Sequence, residues 1–424
     1  MRHPHDLSIP SHSGGPLTRS SIAVLSLSLL CACGESADLD LAPGTPGPWP
    51  IEGCAFDYRP CDVRDDACQR EKLELTACVR GNEAGPLPPV SVMTAAEFDA
   101  FVASESPRPD PDYWEDVLVM LELAEPGALG AKRLRRRVAG EVGAFYRWDE
   151  DDVVLIDRGG PFDDVGMNAI LVHEFVHALQ DREVDLRAYA DAHDDDDDTF
   201  LAARSVYEGE ARLWEDRVRA AMLGLDVEAI DWENRLNELV LRGESWLLEQ
   251  EGALLAASEL VPYTHGARFL YPQWKEKGHD GVLELFADPP RSSKELLLGE
   301  REPLSEVTPF PELEPPEGVE LYGSSSLGAL GIYVYLAAEL GREPARERAL
   351  TWTSDRLEIY VDAASESPII VWSLDASAEA ASSVFGRTRR LLPNTVSRTV
   401  GRRQRLAATA NSDLALGWAV DGDL

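Results

Sequence analysis

His173-Glu174-Phe175-Val176-His177 sets two histidines four residues apart, and this spacing can bring their side chains to one point only on a helix. Residues i and i+4 stack on one helix face, so both imidazoles can reach a single ion. Glu174 follows the first histidine by about 100° of rotation, which puts its carboxylate beside such an ion, within reach of a water there. Two neutral nitrogen ligands, an open coordination position and a general base are what metal-assisted hydrolysis requires. The run Val165–Arg182 is helical by period and length. Its Ile170, Leu171, Phe175, Val176 and Leu179 demand burial on more than one face, so the motif belongs inside a core. Two core-packed histidines would give the same letters. Yet the chain has only eight histidines, and three of them (His3, His5 and His12) lie in the leader described below.

A third protein ligand is needed, and zinc sites of this kind complete the set with His, Glu or Asp. The extension H-E-x-x-H-x-x-G-x-x-H is absent, since Asp181, Arg182 and Glu183 follow, and this excludes the metzincin arrangement. A carboxylate on a second helix remains. Ser205-Val-Tyr-Glu-Gly-Glu-Ala211 offers it, within a helix expected from Phe200 to about Met222 and capped by Thr199. Glu208 shares a face with Leu201, Ser205 and Arg212, and Gly209 would leave room for the helix to approach the metal. Glu210 points about 200° away from Glu208 and is expected behind the ligands or exposed. The expected metal ligands are His173, His177 and Glu208.

The N-terminus reads as a targeting segment. Arg2 and Arg19 precede an apolar stretch from Ile22 to Cys33, which is too short for a stable membrane span. Leu30-Cys-Ala-Cys-Gly34 resembles the bacterial lipobox, which implies cleavage before Cys33 and acylation of its thiol. An ordinary cleaved signal peptide is the other reading. Cys31 is the poorer acceptor, because bulky Leu30 would then occupy the cleavage site. The expected location is therefore the bacterial cell envelope, with the membrane reached only through the lipid anchor. That is an oxidising compartment, and Cys54, Cys61, Cys68 and Cys78 then read as two disulfides with three possible connectivities. Their spacing lacks the paired C-x-x-C knuckles of a zinc ribbon. The expected organisation is a signal peptide over 1–32, a Pro-rich tether over 33–50 and a small disulfide-stapled module over 51–90. A catalytic domain over 91–385 follows, with a helical second part from about 232, then an Arg-rich segment over 386–424.

The 40 Lys and Arg against 76 Asp and Glu give a net charge of −36, which excludes a nucleic-acid partner for want of a positive field. No later apolar run approaches the ~20 residues of a spanning helix, so an integral channel or transporter is excluded as well. Five consecutive aspartates, Asp194 to Asp198, lack the spacers and Gly of a calcium loop and are expected to form a solvated acidic loop favouring a helix start. Val142–Trp148 and Val153–Ile156 are β-rich and joined as a hairpin. Thr94 caps a helix over 95–104, Trp232–Leu255 is another helix, and Glu302–Gly318, with five prolines, is a loop. His279 is expected in a polar surface loop, while Arg356 would anchor a carboxylate or a loop. Arg387–Leu406 carries seven arginines and reads as a docking strip, either to the acidic body or to anionic envelope polymers.

Leu171-Val-His-Glu-Phe-Val-His-Ala-Leu-Gln-Asp181 followed by Tyr207-Glu-Gly-Glu-Ala211 resembles a family of exported bacterial and archaeal zinc metallopeptidases of gluzincin type. Their pattern is H-E-x-x-H-A-L-Q-D-Q, then E-G-D-A. Pro262-Tyr-Thr-His-Gly266 is similar to their P-Y-x-x-G, Leu327-Gly-Ala-Leu-Gly331 to their L-G-E-x-G, and Ser354-Asp-Arg-Leu357 to their G-D-R-Y. Ala287-Asp-Pro-Pro-Arg-Ser292 resembles the stretch before a second helical part. The resemblance runs from about Asp152 to Phe385. It departs at Arg182 for Gln, Glu210 for Asp and Ala329 for Glu, none of them an expected ligand. It implies a helix-dominated α+β, gluzincin-like fold with a small active-site sheet and Zn2+ as cofactor. It further implies peptide or protein substrates, with Glu174 as base, and places Tyr263 and His265 as candidate donors to the oxyanion. The alternative is an envelope lipoprotein with a structural or degenerate zinc site that acts as a binding protein. Retention of Glu174 separates the two, because a structural site needs only ligands.

Overall fold

Ala144-Phe-Tyr-Arg147 and Asp152–Asp157 carry nearly unbroken apolar runs, and such runs make a strand pair buried on both faces. The computed structural model describes residues 51, 53–105, 113–124, 142–194, 196–250, 252–303 and 307–421; the leader, Cys33 and the tether lie outside them. Among those residues the fold is α+β and mostly helical. The first part contains α1 (Asp66–Arg80), β1 (Val90–Thr94), α2 (Ala95–Glu105), α3 (Tyr113–Met120), β2 (Ala144–Arg147), β3 (Asp152–Asp157), α4 (Val165–Val184), α5 (Leu186–Ala192) and α6 (Asp197–Met222). The helical middle follows as α7 (Trp232–Leu247), α8 (Ala253–Lys277), α9 (His279–Ala287) and α10 (Ser293–Leu298). Last come β4 (Val319–Ser325), α11 (Gly328–Leu340), α12 (Arg342–Ala349), β5 (Ser354–Asp362), β6 (Ser367–Asp375), α13 (Ala378–Leu391), β7 (Asn394–Val400), β8 (Arg403–Thr409) and α14 (Gly417–Val420).

The expected hairpin is present, β2 antiparallel to β3 from Ala144↔Leu155 to Arg147↔Asp152. On its other edge β3 takes β1 in parallel, a strand the sequence reading did not include. Ala144, Tyr146, Val153 and Leu155 pack under Leu171, Phe175, Ala178 and Leu179 of the motif helix α4. The intervening Phe145, Val154 and Ile156 face the other way, onto Phe98. The hairpin thus forms the floor under His173 and His177.

α1 packs into the same core, where Val63, Cys68, Leu73 and Ala77 meet the α4 residues just named. The stretch 51–90 is therefore not a separate module but a wall of the main body. Its disulfides are Cys54–Cys78 and Cys61–Cys68.

α6 is buried along most of its length because α4 and α8 both lie against it. At the α6–α8 crossing, a Cβ on Gly209 would lie 2.4 Å from the carbonyl carbon of Gly266, and a Cβ on Gly266 would lie 2.2 Å from Ser205 O. Gly209 makes room for the backbone of α8, not for a metal, and this corrects the sequence reading. Gly209→Ala should force the helices apart and destabilise the protein by about 1–3 kcal/mol or more. Urea unfolding would show it as a lowered midpoint, and an unchanged midpoint would mean the crossing tolerates a methyl group.

The aspartate run is also unlike its expectation. Asp196, not Thr199, is the N-cap, accepting from the amides of Asp198 and Thr199 at 3.0 Å each. Asp197 accepts from Ser325 Oγ at 2.7 Å, and buried Asp198 accepts from the Ser293 amide. Asp198 lies inside the core and Asp197 is half-buried because later elements pack over the start of α6. Burial, reinforced by Asp196 and Asp355 against the Ser293 hydrogen bonds, pushes the Asp198 carboxyl up to about 8. Between the ordinary aspartate value and about 8 the folded state holds a proton that the unfolded chain has lost. Stability from this group is therefore fully present below about pH 4 and is lost as pH rises through 8, by on the order of a few kcal/mol. Asp198→Asn should flatten that slope in urea titrations at pH 5 and pH 8; an undiminished slope would place the titrating group elsewhere.

The largest departure is a second, five-stranded antiparallel sheet in the order β4-β5-β6-β8-β7. The part after 232 is therefore purely helical only as far as Leu298, after which strands and helices alternate, and the segment 386–424 supplies two strands of that sheet rather than a separate tail. Leu357, Ile359, Ile370, Trp372, Leu374 and Leu406 join the main core, while Tyr360, Ile369, Val371 and Ala407 pack under Leu416 and Ala419. Two of the seven arginines are structural. Buried Arg405 donates to Ser373 Oγ at 2.9 Å, and buried Arg387 bonds Tyr335 O and, at 3.0 Å, Glu122.

Candidate metal centre

His173 and His177 project from one face of α4 with their Nε2 atoms 3.1 Å apart. Glu208, from the middle of α6, brings its Oε2 to 3.5 Å from the first and 3.4 Å from the second. Among the described residues this is the one cluster able to hold a metal ion. A tetrahedral ion with bonds of about 2.0–2.1 Å separates its ligand atoms by about 3.3–3.4 Å, so the triangle has the right size for one ion at each donor's bonding distance. Glu208, not Glu210, faces the histidines.

The groups behind the ligands set their protonation. Gln180 donates through Nε2 to Tyr207 O at 3.0 Å and to Glu210 Oε2 at 2.8 Å, which orients its amide. Its Oε1 then faces His177 Nδ1 at 2.8 Å, so that nitrogen carries the proton. His173 Nδ1 meets the carboxylate of Glu215 at 3.2 Å and is likewise the donor. Both Nε2 atoms therefore face each other and Glu208 Oε2. Such an arrangement is stable only around a positive charge. Burial opposes charge on His173, yet hydrogen bonds that the ring donates to the Glu208 and Glu215 carboxylates outweigh it and lift the ring to about 10. For Glu208, burial is outweighed by the two imidazoles and Arg204, and its carboxyl lies well below the usual range. The three buried donors could hold a metal ion.

Glu174 lies beside this triangle, fully buried, and neither of its oxygens has a hydrogen-bond partner. Burial, with Glu208 adding to it and the two imidazoles opposing, raises its carboxyl to about 7. Tyr263 from α8 stacks on the His173 ring with centroids 5.8 Å apart, and its buried hydroxyl is also without a partner. Burial, then the nearby Glu208 charge, pushes the phenol well above its ordinary value, so it keeps its proton.

His265 is not brought to the site. It lies two residues past Tyr263, about 200° around the helix. Its Nδ1 meets Thr264 Oγ1 at 3.0 Å and its Nε2 meets Glu244 of α7 at 3.3 Å. His279 starts α9 and pairs with Glu183 at 2.9 Å instead of sitting in a surface loop. Arg356 pairs with Glu358 along β5 at 3.1 Å. Glu210 is buried behind the ligands, on Gln180 and Arg80. The sequence reading gave no role to Gln180 or Glu215. Helical spacing could have suggested both, because Gln180 is one turn beyond His177 and Glu215 two turns beyond Glu208 on the same face.

No protein-family model matches the chain, and neither a curated protein nor a solved structure matches it.

Proposed function

We propose that this protein is a zinc-dependent hydrolase, a metallopeptidase of gluzincin type that cleaves peptide bonds. The observation that carries the reading is Glu174, a carboxylate with two unpartnered oxygens buried against three convergent metal donors. Leaving such a group unsatisfied costs several kcal/mol, and nothing in a purely structural site needs it. Zinc suits two imidazole nitrogens and one carboxylate oxygen, and when bound there it would act as a Lewis acid on the amide and on the attacking water. Glu174 takes the proton of that water and passes it to the leaving amine, and a carboxyl titrating near neutrality can do both. Tyr263, held protonated, donates to the amide oxygen as negative charge builds there. Glu215 and Gln180 keep the Nδ1 protons in place, so both histidines present Nε2. Peptide substrates follow from the motif resemblance, and export with acylation at Cys33 from the leader.

One observation favours a second reading. His173, Glu174, His177 and Glu208 are each at most 3% exposed, so a peptide reaches them only if the surrounding helices part. A lipid-anchored binding protein with a structural zinc would need no such opening. Metal analysis of the mature chain together with peptide-library turnover separates the two. One zinc per chain, with cleavage that a chelator abolishes and zinc restores, supports the hydrolase. Full zinc occupancy with no cleaved peptide favours the binding protein, and a chain that takes up no metal ends both readings.

A further inference from the structure

Arg80 is the last residue of α1, and its side chain is fully buried. It donates through Nε to Glu210 Oε1 at 2.8 Å and through Nη2 to Glu210 Oε2 at 3.1 Å, a two-bond clamp across 130 positions of chain. The same Nη2 reaches Glu183 at 3.0 Å. Glu210 in turn accepts from Gln180 Nε2, and Gln180 Oε1 holds His177 Nδ1, each at 2.8 Å. An unbroken file of hydrogen bonds therefore runs from the N-terminal wall of the protein to a metal donor. The far end is well anchored. Cys78, two residues before Arg80, is disulfide-bonded to Cys54, and Gly81, at φ 87°, turns the chain sharply and bonds back to the helix carbonyls.

The file depends on how Glu210 is held at its centre. Without its two guanidinium bonds the Glu210 carboxylate loses its fixed orientation and would swing away from Gln180. Gln180 would then lose the acceptor that orients its amide, retaining only Tyr207 O. An inverted amide would present N–H to His177 Nδ1 and drive the imidazole proton onto Nε2, the atom that faces the ion. We infer that Arg80, carried by the disulfide-stapled N-terminal helix, is a positioning residue of the metal centre. It fixes the Glu210 carboxylate in place, Glu210 orients Gln180, and Gln180 holds His177 in the tautomer that binds metal. The inference rests on the metal centre proposed above, not on the reaction performed there. It also gives the segment 51–81 a role beyond closing the core: without it, one ligand lacks its outer support.

The test uses the full mature chain with zinc alone, its affinity measured by competition against a chromophoric chelator at a temperature well below unfolding of the metal-free protein. Arg80→Met is expected to bind one zinc per chain about 10–100-fold more weakly than wild type. The visible bands of the cobalt-loaded protein should shift, because the His177 ligand is no longer held. Glu210→Gln should weaken binding in the same range, and the double variant should be no worse than the weaker single, since both act through one path. A residue that merely stabilised the fold would lower the unfolding temperature while leaving zinc affinity and cobalt bands unchanged, and that result would overturn the inference. Losses that multiply in the double variant would also overturn it. If Arg80→Met does not fold, Arg80→Lys keeps the charge with a single bond and should show a smaller loss of affinity; wild-type affinity there counts against the inference. A wild-type chain that binds no zinc would instead remove the metal centre itself, whereas equal binding by wild type and Arg80→Met removes only this role.

Discussion

Glu174→Gln is expected to lose about 10²–10⁴-fold in turnover, keep one zinc per chain, and become more resistant to unfolding in its metal-free form. The first effect follows from removing the proton acceptor. The second follows because Glu174 is not among the three converging donors. The third is the less obvious one. Burial raises the Glu174 carboxyl to about 7 and neither oxygen is hydrogen-bonded, so ionising it inside the fold is costly. The amide is nearly isosteric and carries no charge, and it relieves that cost near and above neutral pH. Activity and stability should thus move in opposite directions, as at sites where local strain serves function. Turnover, metal content and thermal unfolding of purified wild type and variant measure all three. Equal turnover would remove Glu174 as the base and favour the binding-protein reading. Loss of zinc would mean that Glu174 is itself a ligand.

His177→Ala should abolish both zinc binding and activity. Only His173 and Glu208 would remain as donors, and two ligands do not hold zinc against water and buffer, so affinity should fall by several orders of magnitude. The substitution also strands Gln180 Oε1, which faces His177 Nδ1 at 2.8 Å, as a buried acceptor. Because an ion that binds only the folded state stabilises it, wild type should gain about 4 kcal/mol at a thousandfold excess of zinc over its dissociation constant. The variant's unfolding temperature should not respond to zinc at all. A His177→Ala protein that still bound one zinc at wild-type strength would place the ion elsewhere.

Much of the site could be read from short-range pattern. The motif helix, the hairpin beneath it and the choice of Glu208 over Glu210 all follow from periodicity, and the structure has each of them. The same reasoning, applied one residue pair further, would have separated Tyr263 from His265, since two positions on a helix face nearly opposite ways. The five-stranded sheet was hidden for two reasons. Pro368-Ile-Ile-Val-Trp-Ser-Leu374 is buried on both faces and shows no alternation, and the arginines of β7 and β8 disguise strands as a charged tail. The inner aspartates were hidden differently, because Asp197 and Asp198 are covered by residues from much later in the chain.

What the chain alone determined is the geometry inside single helices. His173 and His177, or Glu208 and Glu215, share a face because helical rise and rotation are local properties that hold in any surroundings. What only the tertiary structure decided is which faces meet. α6 lies close enough to α8 for backbones to touch at Gly209 and Gly266, Tyr263 comes to rest on His173, and Arg80 closes on Glu210 from the other end of the sequence. No local period encodes such contacts. They arise from how buried surfaces fit, and with them come the tautomers and shifted proton affinities that turn two histidines and a glutamate into a place for an ion.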